Sequence, residues 1–243
     1  MEARWSRMWL AVERDKVNLF VFLGVAICVR LPHLISPYVI NLDAIDYIMS
    51  AKALAHGKWV EGFQLSHASI YPVLISLVGP LVGDWVCAAR AIAVLFGVFT
   101  VVPIYYVSRR LVCWPWGAIP PLFYCLSPTL THYSMDVIRE PIFWFLLFSA
   151  ISTTFKAWES RRAIWFLLGG ILFLFVTANR LDALIAVAGI LAWKVTRLVS
   201  ERGFSRFVKE ISLVLFPFLV ALVVLLAFFL EPVKKHDLLE LGA

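Results

Sequence analysis

The sequence predicts an all-α, polytopic membrane protein of about seven transmembrane helices. Of its 243 residues 62% are apolar and only 16% charged, where soluble domains stand nearer one half and one quarter. So few polar groups could not cover a globular surface, and the mean hydropathy is +0.87. The apolar residues also fall into runs close to the roughly 20 that cross about 30 Å of hydrocarbon. No strand-like alternation points to a barrel.

Taken in order, the first run is 17–36. It lacks a small-residue cleavage site and reads as a retained signal-anchor. Ahead of it, Trp5, Met8, Trp9 and Val12 fall at helical spacing opposite Arg4, Arg7 and Arg14, the pattern of a short helix lying on the cytoplasmic leaflet. Six further spans follow over 85–108, 111–130, 141–158, 163–179, 183–199 and 210–230. The run 68–83 is ambiguous. It contains Pro72 and Pro80 and as a helix would extend only ~24 Å.

Charge decides between crossing and lying flat. With a cytoplasmic N-terminus and a non-crossing 68–83, the inner segments hold Arg4, Arg7, Arg14, Lys16, Arg109, Arg110, Lys156, Arg161, Arg162, Lys194, Arg197, Arg202, Arg206 and Lys209. The outer ones hold only Lys52, Lys58, Arg139, Arg180, Lys234 and Lys235, while Arg30 and Arg90 fall inside helices. If 68–83 crossed, the inner charges from Arg109 onward would move outside, against the cytoplasmic bias of basic residues. Residues 37–84 therefore read as one long outer loop with interfacial helices at about 44–56 and 70–82. Asp43 is the predicted N-cap of the first and Gly57 its C′ residue. Loops this long in a compact protein are usually functional. The chain reads as a single domain, 1–243, without internal repeats.

The net charge of +6 is thereby a matter of topology, and nucleic acid is not an expected partner. Cys28, Cys87, Cys113 and Cys125 have no metal-ligand spacing and read as small core residues.

This topology collects Asp43, Asp46, Glu61, Asp84, Asp136, Glu140 and Asp182, with Arg139 and Arg180, on the outer side or at its edge. Ionisable groups near membrane depth usually face protein or a water-filled cavity, so an outward acid-and-arginine recess is the expected site. Each residue also has an ordinary role. Asp43 and Asp182 can cap helices, and Glu140 before Pro141 suits a helix's positive end. Arg180 can pair with Asp182 or with a lipid phosphate, and Arg90 reads as structural. His67 and His132 read as interface residues. Asp136 and Glu140 would share a helix face, but Pro141 makes a continuous helix there doubtful.

The run Asp43-Ala44-Ile45-Asp46-Tyr47, then Ala51 and Gly57-Lys58-Trp59, resembles the first outer-loop motif of the GT-C membrane glycosyltransferases. The nearest group is the dolichyl-phosphate-mannose-protein mannosyltransferases and lipid A aminoarabinose transferases. The likeness continues through Pro72, Arg90, Tyr106, Arg109-Arg110, Pro128, Tyr133, Arg139-Glu140-Pro141 and Thr177-Ala178-Asn179-Arg180, over about residues 15–200. The resemblance implies interfacial helices in the first outer loop and an inverting transfer of sugar from a polyprenyl-phosphate lipid. Asp43 would be the general base. Arg180 and Arg139 would face the departing phosphate, and Glu140 would position the acceptor or, as in some relatives, a divalent metal. Asp136, Tyr47 and Asp182 complete the expected substrate-binding set. No nucleotide or firm cofactor is implied. The membrane is the cytoplasmic one, or the endoplasmic reticulum in a eukaryote, with the site on the outer or luminal side. Position 44 is Ala where many relatives carry Glu, and familiar members are far longer. A compact enzyme, half of a split enzyme, and a non-catalytic subunit binding lipid or partner helices in a larger membrane complex all fit the sequence.

Overall fold

The computed structural model describes the chain except residues 1, 35–40, 66–68, 135, 191, 193–207, 222 and 224–243, and the side chains of 2–14 and His33. The described residues are all helix, turn and loop, without a strand. His67 and much of the expected spans 183–199 and 210–230 lie outside them; of these spans the helical segments 183–190 and 208–221 are seen.

The helices in order are α1 (Glu2–Arg30), α2 (Leu42–Ala55), α3 (Trp59–Leu65), α4 (Ile70–Val82), α5 (Trp85–Phe99), α6 (Val101–Leu111), α7 (Ile119–Leu126), α8 (Pro128–Tyr133), α9 (Glu140–Ser160) and α10 (Ala163–Asn179). Short 3₁₀ turns occupy Leu31–Leu34 and Trp116–Ala118. Among the described residues one helix, the α5–α6 rod Trp85–Leu111, is both long and apolar enough to cross a membrane; α4, Trp116–Leu126 and α10 are shorter apolar helices. Helix α9 has the length, but Ser149, Ser152, Thr153, Thr154 and Lys156 dilute its apolar character.

Ring and polar contacts fix how the rods run. Phe96 meets Phe145 at 5.2 Å and Ser152 donates to the Pro103 carbonyl at 3.2 Å, so α5–α6 and α9 are parallel. Helix α1 runs against them, with Phe22 on Tyr105 and Asp15 paired to Arg109 at 3.2 Å. Helices α9 and α10 form an antiparallel hairpin turned by Arg161, whose φ is +55°. Their packing is close because a small residue faces a small one: a Cβ on Gly169 would stand 3.1 Å from Thr154 Oγ1. A Cβ on Gly170 would run into the Val214 carbonyl of the 208–221 helix.

Three expectations are corrected. The segment 111–130 is not one helix. Pro115, Pro120, Pro121 and Pro128 remove backbone donors, and the chain passes through a loop, a 3₁₀ turn and the short α7 and α8. The carbonyls freed at the α7–α8 break are taken up by Arg30, which is wholly buried: it donates to Tyr124 O at 3.2 Å and Cys125 O at 3.5 Å, and its guanidinium covers the Tyr124 ring at 4.9 Å. The N-terminal amphipathic stretch and the first span are one continuous helix, α1. Asp15, midway along it, is matched by Arg109 and by the Tyr105 hydroxyl at 2.9 Å. Of the four cysteines only Cys125 is buried.

Large apolar side chains cover the outside along the whole length of the rods. On α10, Ile164, Leu168, Ile171 and Phe175 are exposed in one stripe, as are Leu95, Phe99 and Val102 on α5–α6. The interior mixes fully buried alanines (Ala26, Ala88, Ala89, Ala93, Ala150 and Ala157) with large side chains such as Tyr71, Ile75, Ile142 and Phe173.

Candidate functional site

The site lies at the end of the bundle where α5 and α9 begin and α10 ends. Helices α2 to α4 also lie at this end. Helix α2 is capped by Asn41, whose Oδ1 accepts from the Ala44 N–H at 2.7 Å. The predicted cap, Asp43, is therefore in the first helical turn with an exposed carboxylate, where the helix's positive end favours it. At the other end Gly57 takes φ +78°, a conformation in which a Cβ would be strained.

Helix α4 is held to this end of the bundle at both of its termini. Its cap Ser69, fully buried, donates to Asn179 Oδ1 at 2.6 Å at the end of α10. Its last residue leads through Gly83 (φ +79°) to Asp84, which caps α5 by accepting from Val86 and Cys87 N–H groups at 2.8 and 3.1 Å. Near its start, Tyr71 donates to the Ala89 carbonyl of α5 at 2.9 Å. Helix α4 thus lies over the end of the rods.

Asn179 ties this cap to the α9–α10 pair. Its Nδ2 donates to Arg139 O at 3.5 Å, and Arg139 Nη1 donates to Asn179 O at 3.0 Å. Beside them Arg180 is held by two carboxylates: Nη1 reaches Glu140 at 3.0 Å and Nη2 reaches Asp182 at 2.6 Å, with the guanidinium 5.5 Å from the Phe143 ring centre. These contacts raise the Arg180 pKa, the Asp182 hydrogen bond foremost and against the effect of burial. Asp182 is thus engaged by Arg180 just ahead of the 183–190 helix.

Tyr47 is buried on α2. Burial pushes its phenol above the ordinary value near 10, and the charges within reach are Arg139 and Arg180, which lower it, and Glu140 and Asp43, which raise it. Its ring meets Tyr71 edge-on at 5.4 Å. The Tyr71 phenol is pushed up further, by burial first, then by Tyr47, Asp136 and Glu140, against Arg90. Asp43, Tyr47, Asp136, Arg139, Glu140, Arg180 and Asp182, singled out from sequence, therefore belong to one neighbourhood, with Arg90 beside it.

Asp136 lies in the non-helical 136–139 stretch ahead of α9, so it and Glu140 do not share a helix; it stands 3.8 Å from His132. Sequence reasoning gave no role to Ser69, Tyr71 or Asn179, which hold the cap in place. Ser69 immediately before an apolar helix was the one readable signal, as a cap. Among the described residues no three His, Cys, Asp or Glu side chains converge as metal ligands.

One turn along α9 from Glu140, Trp144 marks the start of an apolar cavity of about 480 Å³ between α6, α7, α8 and α9. Tyr124, Leu130 and Phe148 line it, and it extends to Leu111 and Val112 at the opposite end of α6. Its polar content is slight, and a charged cluster with an apolar cavity alongside suits an amphiphile with an anionic head. Comparison with protein-family models, with curated proteins and with solved structures finds no match.

Proposed function

We propose that the chain is a polytopic membrane protein that transfers a sugar from a polyprenyl-phosphate carrier to an acceptor at the non-cytoplasmic face. The membrane reading is supported by the large apolar side chains exposed along the rods, with alanine and glycine at several close helix contacts. Soluble monomers rarely expose such continuous apolar area, whereas membrane helices pack through small residues. In this reading the chain crosses about seven times, with α2 to α4 on the outer face and the N-terminus in the cytoplasm. The crossings are α1, α5–α6, α7–α8, α9, α10 and the helices beginning at 183 and 208.

The single observation carrying the enzymatic reading is the Glu140–Arg180–Asp182 cluster, with Arg139 tied beside it through Asn179, at the start of α9 one turn from an apolar cavity. The carrier's tail would occupy that cavity and its phosphate the arginine side of the cluster. Asp43, exposed in the first turn of α2, takes the proton of an acceptor hydroxyl. The hydroxyl oxygen bonds to the anomeric carbon as the bond from that carbon to the phosphate oxygen breaks, inverting the centre. The released electron pair stays on the phosphate, whose added negative charge Arg180 stabilises. Glu140 and Asp182 hold Arg180 in place, and Glu140 orients the acceptor.

The test is Asp43→Asn in the purified, reconstituted chain, incubated with radiolabelled polyprenyl-phosphate sugar and membrane extract as acceptor. Sugar transfer should fall at least ~100-fold with folding and insertion intact; turnover within a few-fold of the unmodified chain refutes the assignment. A second reading, a non-catalytic subunit of a membrane complex, is favoured by Arg180 being already neutralised by two carboxylates. Stable co-purification with partner membrane proteins and no turnover with any polyprenyl-phosphate sugar would select it.

A further inference from the structure

A second groove lies between α5–α6 and the α9–α10 hairpin and ends at the pole opposite the site above. Its volume is about 410 Å³, within the range of ligand pockets. Phe99, Val102, Pro103 and Phe145 form its apolar walls, and Tyr106, Lys156 and Trp165 its foot. Lys156 follows Glu140 by sixteen residues on α9, ~24 Å along the helix, so the two ends of α9 are separated by nearly the thickness of the hydrocarbon layer.

The charges at this foot are unequally matched. Arg109 pairs with Asp15, Arg110 with Glu159 and Arg161 with Glu210. Among the described residues Lys156 and Arg162 meet no carboxylate. The Lys156 ammonium stands 3.7 Å from the Trp165 ring centre. Arg110 donates to the Tyr106 hydroxyl at 2.7 Å and stacks on its ring. The foot is therefore cationic and aromatic, and an apolar trough rises from it: the complement of a phosphate headgroup with a hydrocarbon chain attached.

We propose that this groove is a binding site for an anionic phospholipid. Lys156, with Arg162 nearby, receives the headgroup phosphate, Tyr106 and Trp165 flank it at the interface, and one acyl chain lies along Phe99, Val102 and Phe145. The inference rests on the membrane reading of the chain but not on its enzymology.

Native mass spectrometry of the full chain, released from detergent with phosphatidylglycerol or phosphatidylcholine added, tests it. A lysine near the headgroup is worth about 1 kcal/mol, or roughly fivefold in retention. Lys156→Gln should therefore hold phosphatidylglycerol roughly fivefold less well, with phosphatidylcholine unaffected. Lys156→Arg should restore retention, and Val102→Trp should block the groove without altering charge. Lys58→Gln, at the other pole, should change nothing. Phosphatidylglycerol retention equal to that of the unmodified chain in either Lys156→Gln or Val102→Trp overturns the site, as does a dimer whose interface Val102→Trp removes. Failure of the membrane reading is separate: the chain would then be released from membranes by alkaline carbonate.

Discussion

The attachment of α4 over the bundle end makes a quantitative prediction, because it depends on the buried Ser69–Asn179 bond. Removing a buried hydrogen bond costs about 1 kcal/mol in soluble proteins, while interhelical bonds in one membrane protein average about 0.6 and reach about 1.7 kcal/mol. Ser69→Ala also releases the Tyr71 N–H, held at 3.3 Å, so its total should be about 1–2 kcal/mol. Asn179→Ala additionally removes the long Nδ2 bond to the Arg139 carbonyl, which keeps the Phe143 N–H at 3.0 Å, and should cost about 1–2 kcal/mol. Because the two residues share one bond, the double variant should lose less than the sum, by about 0.6–1.5 kcal/mol. Unfolding in mixed SDS–detergent micelles, followed by tryptophan fluorescence, measures all four states of the cycle. Additivity within about 0.3 kcal/mol would refute the contact, and with it the placement of α4 at the same end as Glu140 and Arg180.

Three further outcomes are expected. Asn41→Ala should destabilise by about 1 kcal/mol by uncapping α2, while Asp43→Asn stays within about 0.5 kcal/mol of the unmodified chain; the same micelle unfolding assay separates them. Gly170→Ala should cost about 1–3 kcal/mol because the new methyl meets the Val214 carbonyl, whereas Gly24→Ala, with nothing within 4 Å, should be neutral or slightly stabilising. The Tyr47 phenol is raised in the folded chain, so its contribution is fully present below the unfolded value near 10 and is lost as pH rises through the folded one. Tyr47→Phe should therefore flatten the alkaline fall in stability, measured as apparent melting temperature above pH 9.5.

What was legible in the sequence was local. Helix α4 runs from Ile70 to Val82, as the apolar run predicted, and its ends are closed locally by Ser69 and Gly83. The cap of α2 was misassigned because Asn41 and Asp43 are equally capable acceptors two residues apart, and only the path of the chain into the helix chooses between them. Hydropathy misread 111–130 because it counts apolar atoms and not missing donors; Arg30, distant in sequence, is what makes the proline-rich break tolerable. Likewise nothing near Asp15 announces that α1 continues through it, because its partners come from α6. The charged members of the site were readable because acids and arginines are rare in this composition. The hydroxyl and amide groups that fasten them were not, because Ser69, Tyr71 and Asn179 have nothing unusual about them until their partners arrive.

The apolar outer surface and the close helix contacts have a consequence for how this chain can vary. At positions such as Ala26, Ala88, Ala93 and Ala150, bulk is what is forbidden: a valine there is as apolar as an alanine, yet it wedges two rods apart. On the outward stripe of α10, where Ile164, Leu168, Ile171 and Phe175 are exposed, exchange among leucine, isoleucine and phenylalanine is far less constrained. In the membrane reading, large apolar side chains on the outer stripes should exchange freely among themselves, while the buried alanines and the buried large residues such as Tyr71, Ile142 and Phe173 stay constrained.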